Sequence, residues 1–94
     1  MIRTLALVLA GMMTLPAVTH AADLYEVYGV EEHDMLKMRS GPGTGFTVIV
    51  GLPNGTQLRV HSCERTGAHV WCRASLAQAG RLKGYVSQAY IRQK

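Results

Sequence analysis

Two cysteines are the residues whose chemistry can be inferred most directly from this chain of 94 residues. Cys63 and Cys72 are separated by eight residues, with Gly67 and Ala68 near the centre. A tight turn there, in which Gly67 supplies the positive φ, would place the two cysteines opposite each other in a hairpin. Opposite residues of the non-hydrogen-bonded type approach closely enough for a disulfide, worth about 2.5 kcal/mol for so short a loop. A pair of buried thiols is the alternative, and a zinc site is less favoured because it needs two more ligands.

The apolar alternation that precedes the first cysteine is out of step with this pairing. Leu58 and Val60 occupy even positions, whereas Cys63 is odd-numbered. Pairing through the two cysteines would therefore set two apolar faces against each other, since side chains alternate between the faces of a strand. A bulge near His61 or Ser62 would restore the match.

Histidine is the other residue type that could support metal binding or acid–base chemistry. The spacing does not bring His33, His61 and His69 together, because they fall in an acidic segment, a strand and a turn. No Ser/His/Asp grouping is readable, so a small hydrolase is the least favoured class. The run Gly41-Pro42-Gly43 lacks the Lys-Ser/Thr pair and the helix of a phosphate-binding loop. We expect no catalytic residue, no metal and no cofactor.

The first 21 residues are predicted to be a signal peptide. Arg3 precedes an apolar run from Leu5 to Val18, and small residues surround Ala21. The run falls short of the roughly 20 apolar residues that span a bilayer, so no stable membrane insertion is expected after cleavage. The mature domain, residues 22–94, would be periplasmic or secreted, where the cysteines would be oxidised and nucleic acid is not an expected partner.

Charge is unevenly distributed along the chain. The 10 Lys+Arg and 6 Asp+Glu residues give a net charge of +4, and five of the acidic residues precede Met35. From Ser40 onward there are seven basic residues and one acidic residue, Glu64. This basic part of the chain can attract anionic partners, although charges that merely keep a small domain in solution explain the excess equally well. Arg39, Arg73 and Arg92 are candidates to bind a carboxylate or phosphate through paired hydrogen bonds, although arginines on strand exteriors are usually solvated.

Short strands must position these residues, since no amphipathic helix of useful length is present. The predicted strands are Tyr25 to Val30, Met35 to Met38, Thr47 to Gly51, Gln57 to Ser62, Val70 to Leu76 and Gly84 to Val86. Pro53-Asn54-Gly55 predicts one turn, and Ala79-Gly80 or Lys83-Gly84 would make a later turn. The spacing predicts an all-β fold, a small barrel of short antiparallel strands, and we expect a monomer.

Several segments, in this order, resemble the bacterial Src-homology-3-like (SH3b) domain family. They are Leu36 to Phe46 (LKMRSGPGTGF), Val48 to Thr56, Leu58 to Val60, Trp71 to Ala74 and Gly84 to Ile91. The resemblance extends from about Tyr25 to Ile91. It implies an SH3-like β-barrel of five to six strands with a 3₁₀ turn near the C-terminus. It also implies a non-catalytic binding role, for which cell-wall peptide and glycan are the best-known ligands.

The same resemblance indicates where a ligand would bind. Trp71, Tyr85 and Tyr90 match positions at which the broader fold lines a groove with aromatic rings, which stack on extended chains. Ser87 stands where eukaryotic relatives have a groove proline, so recognition of PxxP segments is not expected. Alternatively, Trp71 and Tyr90 cap the barrel core.

These observations favour an exported, non-catalytic module that binds peptidoglycan or another envelope peptide or glycan. The predicted ligand-binding residues are Trp71, Tyr85, Tyr90, Arg39 and Arg73. An interaction or regulatory subunit that docks on an envelope protein is the alternative function.

Overall fold

The computed structural model describes residues 23–94, which form one antiparallel sheet. Its strands are β1 (Asp23–Val27), β2 (Leu36–Arg39), β3 (Val48–Leu52), β4 (Gln57–Thr66), β5 (His69–Leu76), β6 (Ala79–Ser87) and β7 (Ile91–Gln93). A 3₁₀ turn over Gln88–Tyr90 separates β6 from β7. Across the sheet the order is β3-β2-β6-β5-β4-β1-β7. The predicted signal peptide lies outside the described residues.

A single hydrophobic core explains why this sheet curls. Its buried members come from every strand, so one face of all seven strands must surround the same centre: Val27, Leu36, Met38, Leu52, Leu58, Val60, Cys72, Ala74, Val86 and Ile91. The all-β, SH3-like fold with a 3₁₀ turn near the C-terminus is confirmed. The sheet has seven strands rather than the expected five to six. The additional strand is β7, which follows the 3₁₀ turn and pairs with β1. No helix in residues 23–94 has the length and apolar character needed to cross a bilayer.

The β4–β5 hairpin forms as its residue types predict. Its last pair, Thr66 with His69, closes over a turn in which Gly67 has a φ of 67°. Counting back along both strands places Cys63 directly opposite Cys72, with a Cα–Cα distance of 4.0 Å and a disulfide between them. The close approach is that of the non-hydrogen-bonded type of antiparallel pair.

A β-bulge restores the match between the two apolar faces. The register shifts between Val60 and Ser62, which leaves His61 as the extra residue. Val60 therefore lies opposite Ala74 rather than opposite Ser75, and the predicted bulge is confirmed. The displaced imidazole lies over β5, where His61 Nε2 is 2.9 Å from the Ser75 hydroxyl oxygen.

The prediction of the last hairpin turn was wrong. The chain turns at Ala77 and Gln78, so that neither Ala79-Gly80 nor Lys83-Gly84 forms the turn. Gly84 instead lies buried within β6, where a Cβ would be 2.6 Å from the Arg39 carbonyl oxygen and 2.7 Å from Met38 Cγ. The absence of a side chain at Gly84 permits β2 to pack closely against β6. A glycine can therefore occur inside a strand for close packing, and not only at a turn.

The β1–β2 loop, residues 28–35, is fixed to two other parts of the chain. The Asn54 side chain accepts a hydrogen bond from the Val30 amide at 3.1 Å and donates one to the Val30 carbonyl at 2.8 Å. Asn54 belongs to the predicted Pro53-Asn54-Gly55 turn, in which Gly55 has a φ of 90°. The Tyr28 amide donates to the carbonyl oxygen of Tyr90, at 2.9 Å. These bonds hold the loop beside the 3₁₀ turn.

An ion cluster joins the first and last strands. Glu26 on β1 accepts hydrogen bonds from Arg92 Nε at 2.8 Å and Lys94 Nζ at 3.3 Å. The hydrogen bond from Arg92, and then that from Lys94, lowers the pKa of the Glu26 carboxyl below its ordinary value of 4.5. The Arg92 guanidinium also lies 5.0 Å from the centre of the Tyr28 ring.

Candidate binding pocket

An open pocket of about 400 Å³ lies where the β1–β2 loop, strand β2, the start of β5 and the 3₁₀ turn meet. Its volume is within the range of small-ligand sites in proteins. The loop is part of the wall because Asn54 and Tyr90 hold it in place, so the pocket depends on contacts between segments far apart in sequence. We refer to this site as the pocket.

Two of the predicted aromatic residues line the pocket together. Trp71 projects from the outer face of β5, between Ser87 on β6 and Glu64 on β4, and only 6% of its surface is exposed. Tyr90, in the 3₁₀ turn, is 43% exposed. Neither residue belongs to the cluster of buried side chains around Cys72 and Ala74, and Trp71 is buried on the opposite face of β5. Tyr90 is therefore the accessible ring and Trp71 the covered one.

Arg39 is the third predicted residue that lines the pocket, and its guanidinium has a local structural role as well. Its Nη1 donates hydrogen bonds to the Thr44 carbonyl at 3.1 Å and the Phe46 carbonyl at 3.0 Å. Both acceptors belong to the glycine-rich β2–β3 connection. Arg39 thus ties this connection to the edge of the pocket, and Thr44 contributes to the lining.

Tyr85 and Arg73 do not line the pocket. They pair with each other across β5 and β6, and Tyr85 also pairs with Arg39 on β2. They lie on the same outer face as Trp71, but two residues farther along their strands, a displacement of roughly 7 Å. The structure therefore places three of the five predicted residues in the pocket and two on the adjoining sheet face.

Ionisable residues that the sequence analysis did not assign to a ligand site complete the pocket. Glu31 and Asp34 come from the β1–β2 loop, whereas Lys37 and His69 come from β2 and β5. Asp34 accepts a hydrogen bond from the Met35 amide at 2.7 Å and lies 3.9 Å from the Lys37 ammonium. The clustering of acidic residues just before Met35 was the signal available in the sequence. The pocket accordingly offers carboxylates, cations and an aromatic ring to one ligand.

The histidines form no metal site in the described part of the chain. Within residues 23–94, no three His, Cys, Asp or Glu side chains come close enough to hold a metal ion. His61 does meet Ser75, a pairing that the sequence analysis missed because the bulge creates it. Ser75 is only 6% exposed, so this hydrogen bond secures the bulge rather than presenting a nucleophile.

Comparison with known proteins agrees with this architecture. A family model described as Bacterial SH3 domain matches residues 34–92, which include β2 to β6 and the 3₁₀ turn. The chain therefore belongs to the bacterial SH3 domain family. It is also similar to an uncharacterized protein, YraI, of Bacillus subtilis (strain 168), with 26% identity over 98 residues. That alignment covers 93% of this chain and 81% of the relative. No solved structure matches the chain significantly.

Proposed function

We propose that this protein is an exported, non-catalytic module that binds a peptide or glycan of the bacterial cell envelope, with peptidoglycan as the best candidate. The pocket carries the proposal, because it combines the accessible Tyr90 ring with charged groups of both signs. Aromatic rings stack on sugars and extended peptides, and the stem peptides of peptidoglycan carry both carboxylate and ammonium groups. Membership of the bacterial SH3 domain family and the Cys63–Cys72 disulfide support a binding role in an oxidising compartment.

Retention on purified sacculi tests this proposal. We expect the purified protein to cosediment with peptidoglycan and Tyr90→Ala to weaken retention about tenfold, as loss of a stacked ring does. Tyr28→Ala is the matched control, since Tyr28 is similarly exposed at 39% but does not line the pocket. Equal retention of the two variants would contradict the proposed site, and no retention of the unmodified protein would contradict the ligand.

A conservative change tests the covered ring. Trp71→Phe preserves an aromatic side chain at a position that is nearly buried, so it separates binding from folding. We expect a titration with soluble stem-peptide fragments to shift the Trp71 fluorescence of the unmodified protein. Trp71 is the single tryptophan of the chain, so binding to Trp71→Phe is measured by calorimetry, and it should be weaker while the thermal midpoint falls by only a few degrees.

A protein partner is the second candidate, and exposed apolar side chains on and beside β3 favour it. Met35, Phe46, Val48 and Ile49 are each between 43% and 50% exposed, along β3 and its flanks. β3 is also an end strand of the sheet, and end strands are places where another chain can add. Failure to bind sacculi, together with stoichiometric capture of one envelope protein that Val48→Lys abolishes, would favour this function.

A further inference from the structure

The outer face of β4, β5 and β6 carries a group of basic side chains beside the pocket. Arg59, Ser75 and Lys83 form one row across the three strands, and Ser62, Arg73 and Tyr85 form the next row. The three cations are exposed. We call the surface formed by Arg59, Arg73, Lys83 and Tyr85 the basic face.

The geometry of the sheet spaces these cations over two dimensions. Arg59 and Lys83 are two strands apart, or about 10 Å, and Arg73 is roughly 7 Å farther along the intervening strand. The three thus surround Ser75, whose hydroxyl is occupied by His61. Arg81, two residues before Lys83, adds another exposed cation in the same strand.

The positive charge of the basic face is not neutralised locally. None of the ion pairs in residues 23–94 includes Arg59, Arg73 or Lys83. Two carboxylates border the basic face: Glu64 lies one row beyond Arg73 on the same outer face, and Glu26 lies diagonally from Arg59 but is held by Arg92 and Lys94. Neither carboxylate forms an ion pair with the three cations, whose like charges reinforce each other's field.

We propose that the basic face docks on the phosphate headgroups of an anionic membrane surface, independently of the pocket. It presents exposed cations from three neighbouring strands of one sheet face, and none of the three lines the pocket, which suits a planar array of phosphates better than a single extended chain. Each Lys or Arg close to an anionic bilayer contributes favourably without insertion. Tyr85 lies among the cations, and tyrosine is a residue that favours the headgroup level of membranes.

Vesicle cosedimentation tests the proposal directly. The purified protein is mixed with vesicles of phosphatidylcholine alone, or of phosphatidylcholine and phosphatidylglycerol in equal parts. We expect binding only to the anionic vesicles. Raising the salt from about 0.1 M to about 1 M should release the protein, since the Debye length falls from about 10 Å to about 3 Å.

A charge-matched pair of single variants distinguishes the basic face from net charge. Arg73→Gln should weaken vesicle binding roughly fivefold, and Arg73→Gln/Lys83→Gln about 30-fold. Arg65→Gln removes the same charge as Arg73→Gln from a position off the basic face, because Arg65 alternates with Glu64 along β4. This control should retain most of the binding. An equal loss in both variants would overturn the proposal, as would equal binding to the neutral vesicles.

Two further arms separate membrane docking from other functions. Soluble polyphosphate carries about one negative charge per phosphate, as phospholipid headgroups do, but along a flexible chain rather than a surface. Binding to polyphosphate without binding to vesicles would therefore overturn the membrane proposal. Tyr90→Ala should leave vesicle binding unchanged, because Tyr90 belongs to the pocket. Vesicle binding that Tyr90→Ala abolishes would likewise contradict a separate surface.

Discussion

The pocket and the basic face adjoin on one side of the sheet, but they are built from different parts of the fold. Loops and element ends supply most of the pocket, and they bring carboxylates, cations and a ring together. Strand interiors supply the basic face, where alternation places Arg59, Arg73 and Lys83 on the same side. Converging loops can therefore match the details of a ligand, whereas a strand face of one charge sign produces a broad field with little selectivity.

A substitution where β2 packs against β6, between the pocket and the basic face, should have the largest effect on stability and binding. We call this place the junction. Gly84 lies where β2 crosses β6, and a Cβ there would be 2.6 Å from the Arg39 carbonyl oxygen. We expect Gly84→Ala to lower the free energy of unfolding by roughly 2–3 kcal/mol, because the backbone must shift, and to impair both surfaces. Denaturant unfolding measures this change.

Gly80→Ala is the matched control for the junction. The same added methyl group meets nothing within 4 Å at Gly80, so stability should change by no more than about 0.5 kcal/mol. A similar loss in both variants would show that glycine content in β6, rather than the close approach of β2, limits stability.

The disulfide should have the next largest effect, and it also serves both surfaces. Cys72 lies between Trp71 of the pocket and Arg73 of the basic face. We expect reduction to lower the free energy of unfolding by roughly 2.5 kcal/mol, since the bridge closes a short loop. Denaturation midpoints with and without reductant measure the effect.

The control for reduction is a variant without the bridge. Cys63→Ala/Cys72→Ala should unfold at the same midpoint with and without reductant. Thiol labelling of the unfolded, unreduced protein provides the contrary outcome, because two reactive cysteines would show that the bridge does not form in the isolated protein.

The predictability of these regions from sequence differs with the range of the interactions that form them. The β4–β5 hairpin, the cysteine pair and the bulge follow from alternation and one glycine turn, all within about 20 residues. The last hairpin turn does not, because Gly84 was assigned to a turn although its small size serves the approach of β2. A sequence pattern alone does not distinguish these two uses of glycine.

The pocket shows the same limit. Trp71 and Tyr90 were predicted because the resemblance to the SH3b family matches them to groove positions, and both line the pocket. The acidic wall was missed because Glu31 belongs to a loop that the Asn54 side chain holds at Val30, 24 residues away in the sequence. A contact between residues so far apart leaves no periodic pattern in the sequence from which it could be predicted. Tyr85 and Arg73 were also predicted to bind the ligand, but they lie on the outer face beside the pocket and do not line it.

Removing the charge of one pocket carboxylate should weaken binding by the pocket and leave binding by the basic face unchanged. If the pocket binds an ammonium group of the ligand, Glu31→Gln should weaken retention on sacculi by up to about fivefold, the range of an exposed ion pair. Glu32→Gln is the matched control, because Glu32 is adjacent but does not line the pocket. Vesicle binding should not weaken in either variant. A loss confined to vesicle binding would reverse the assignment of the two surfaces.

The smallest expected effect concerns Glu26, which lies diagonally across β1 and β4 from Arg59. Hydrogen bonds from Arg92 and Lys94 lower the pKa of the Glu26 carboxyl in the folded state, so the unfolded chain binds a proton more readily. The stabilisation is therefore present above the ordinary pKa of 4.5 and is lost as pH falls through the folded-state value. Thermal midpoints measured between about pH 7 and pH 2.5 should fall less steeply in Glu26→Gln than in the unmodified protein.

Vesicle binding by Glu26→Gln completes the comparison between the two surfaces. Glu26 is already held by two cations of β7 and the C-terminus, so removing its charge should strengthen binding to anionic vesicles by about twofold at most, given screening by salt. Glu32→Gln is again the control, since Glu32 takes part in none of the ion pairs within residues 23–94. A much larger gain in Glu26→Gln would mean that this carboxylate restrains the field of Arg59. The basic face would then extend across β1 to β7 rather than ending at β4.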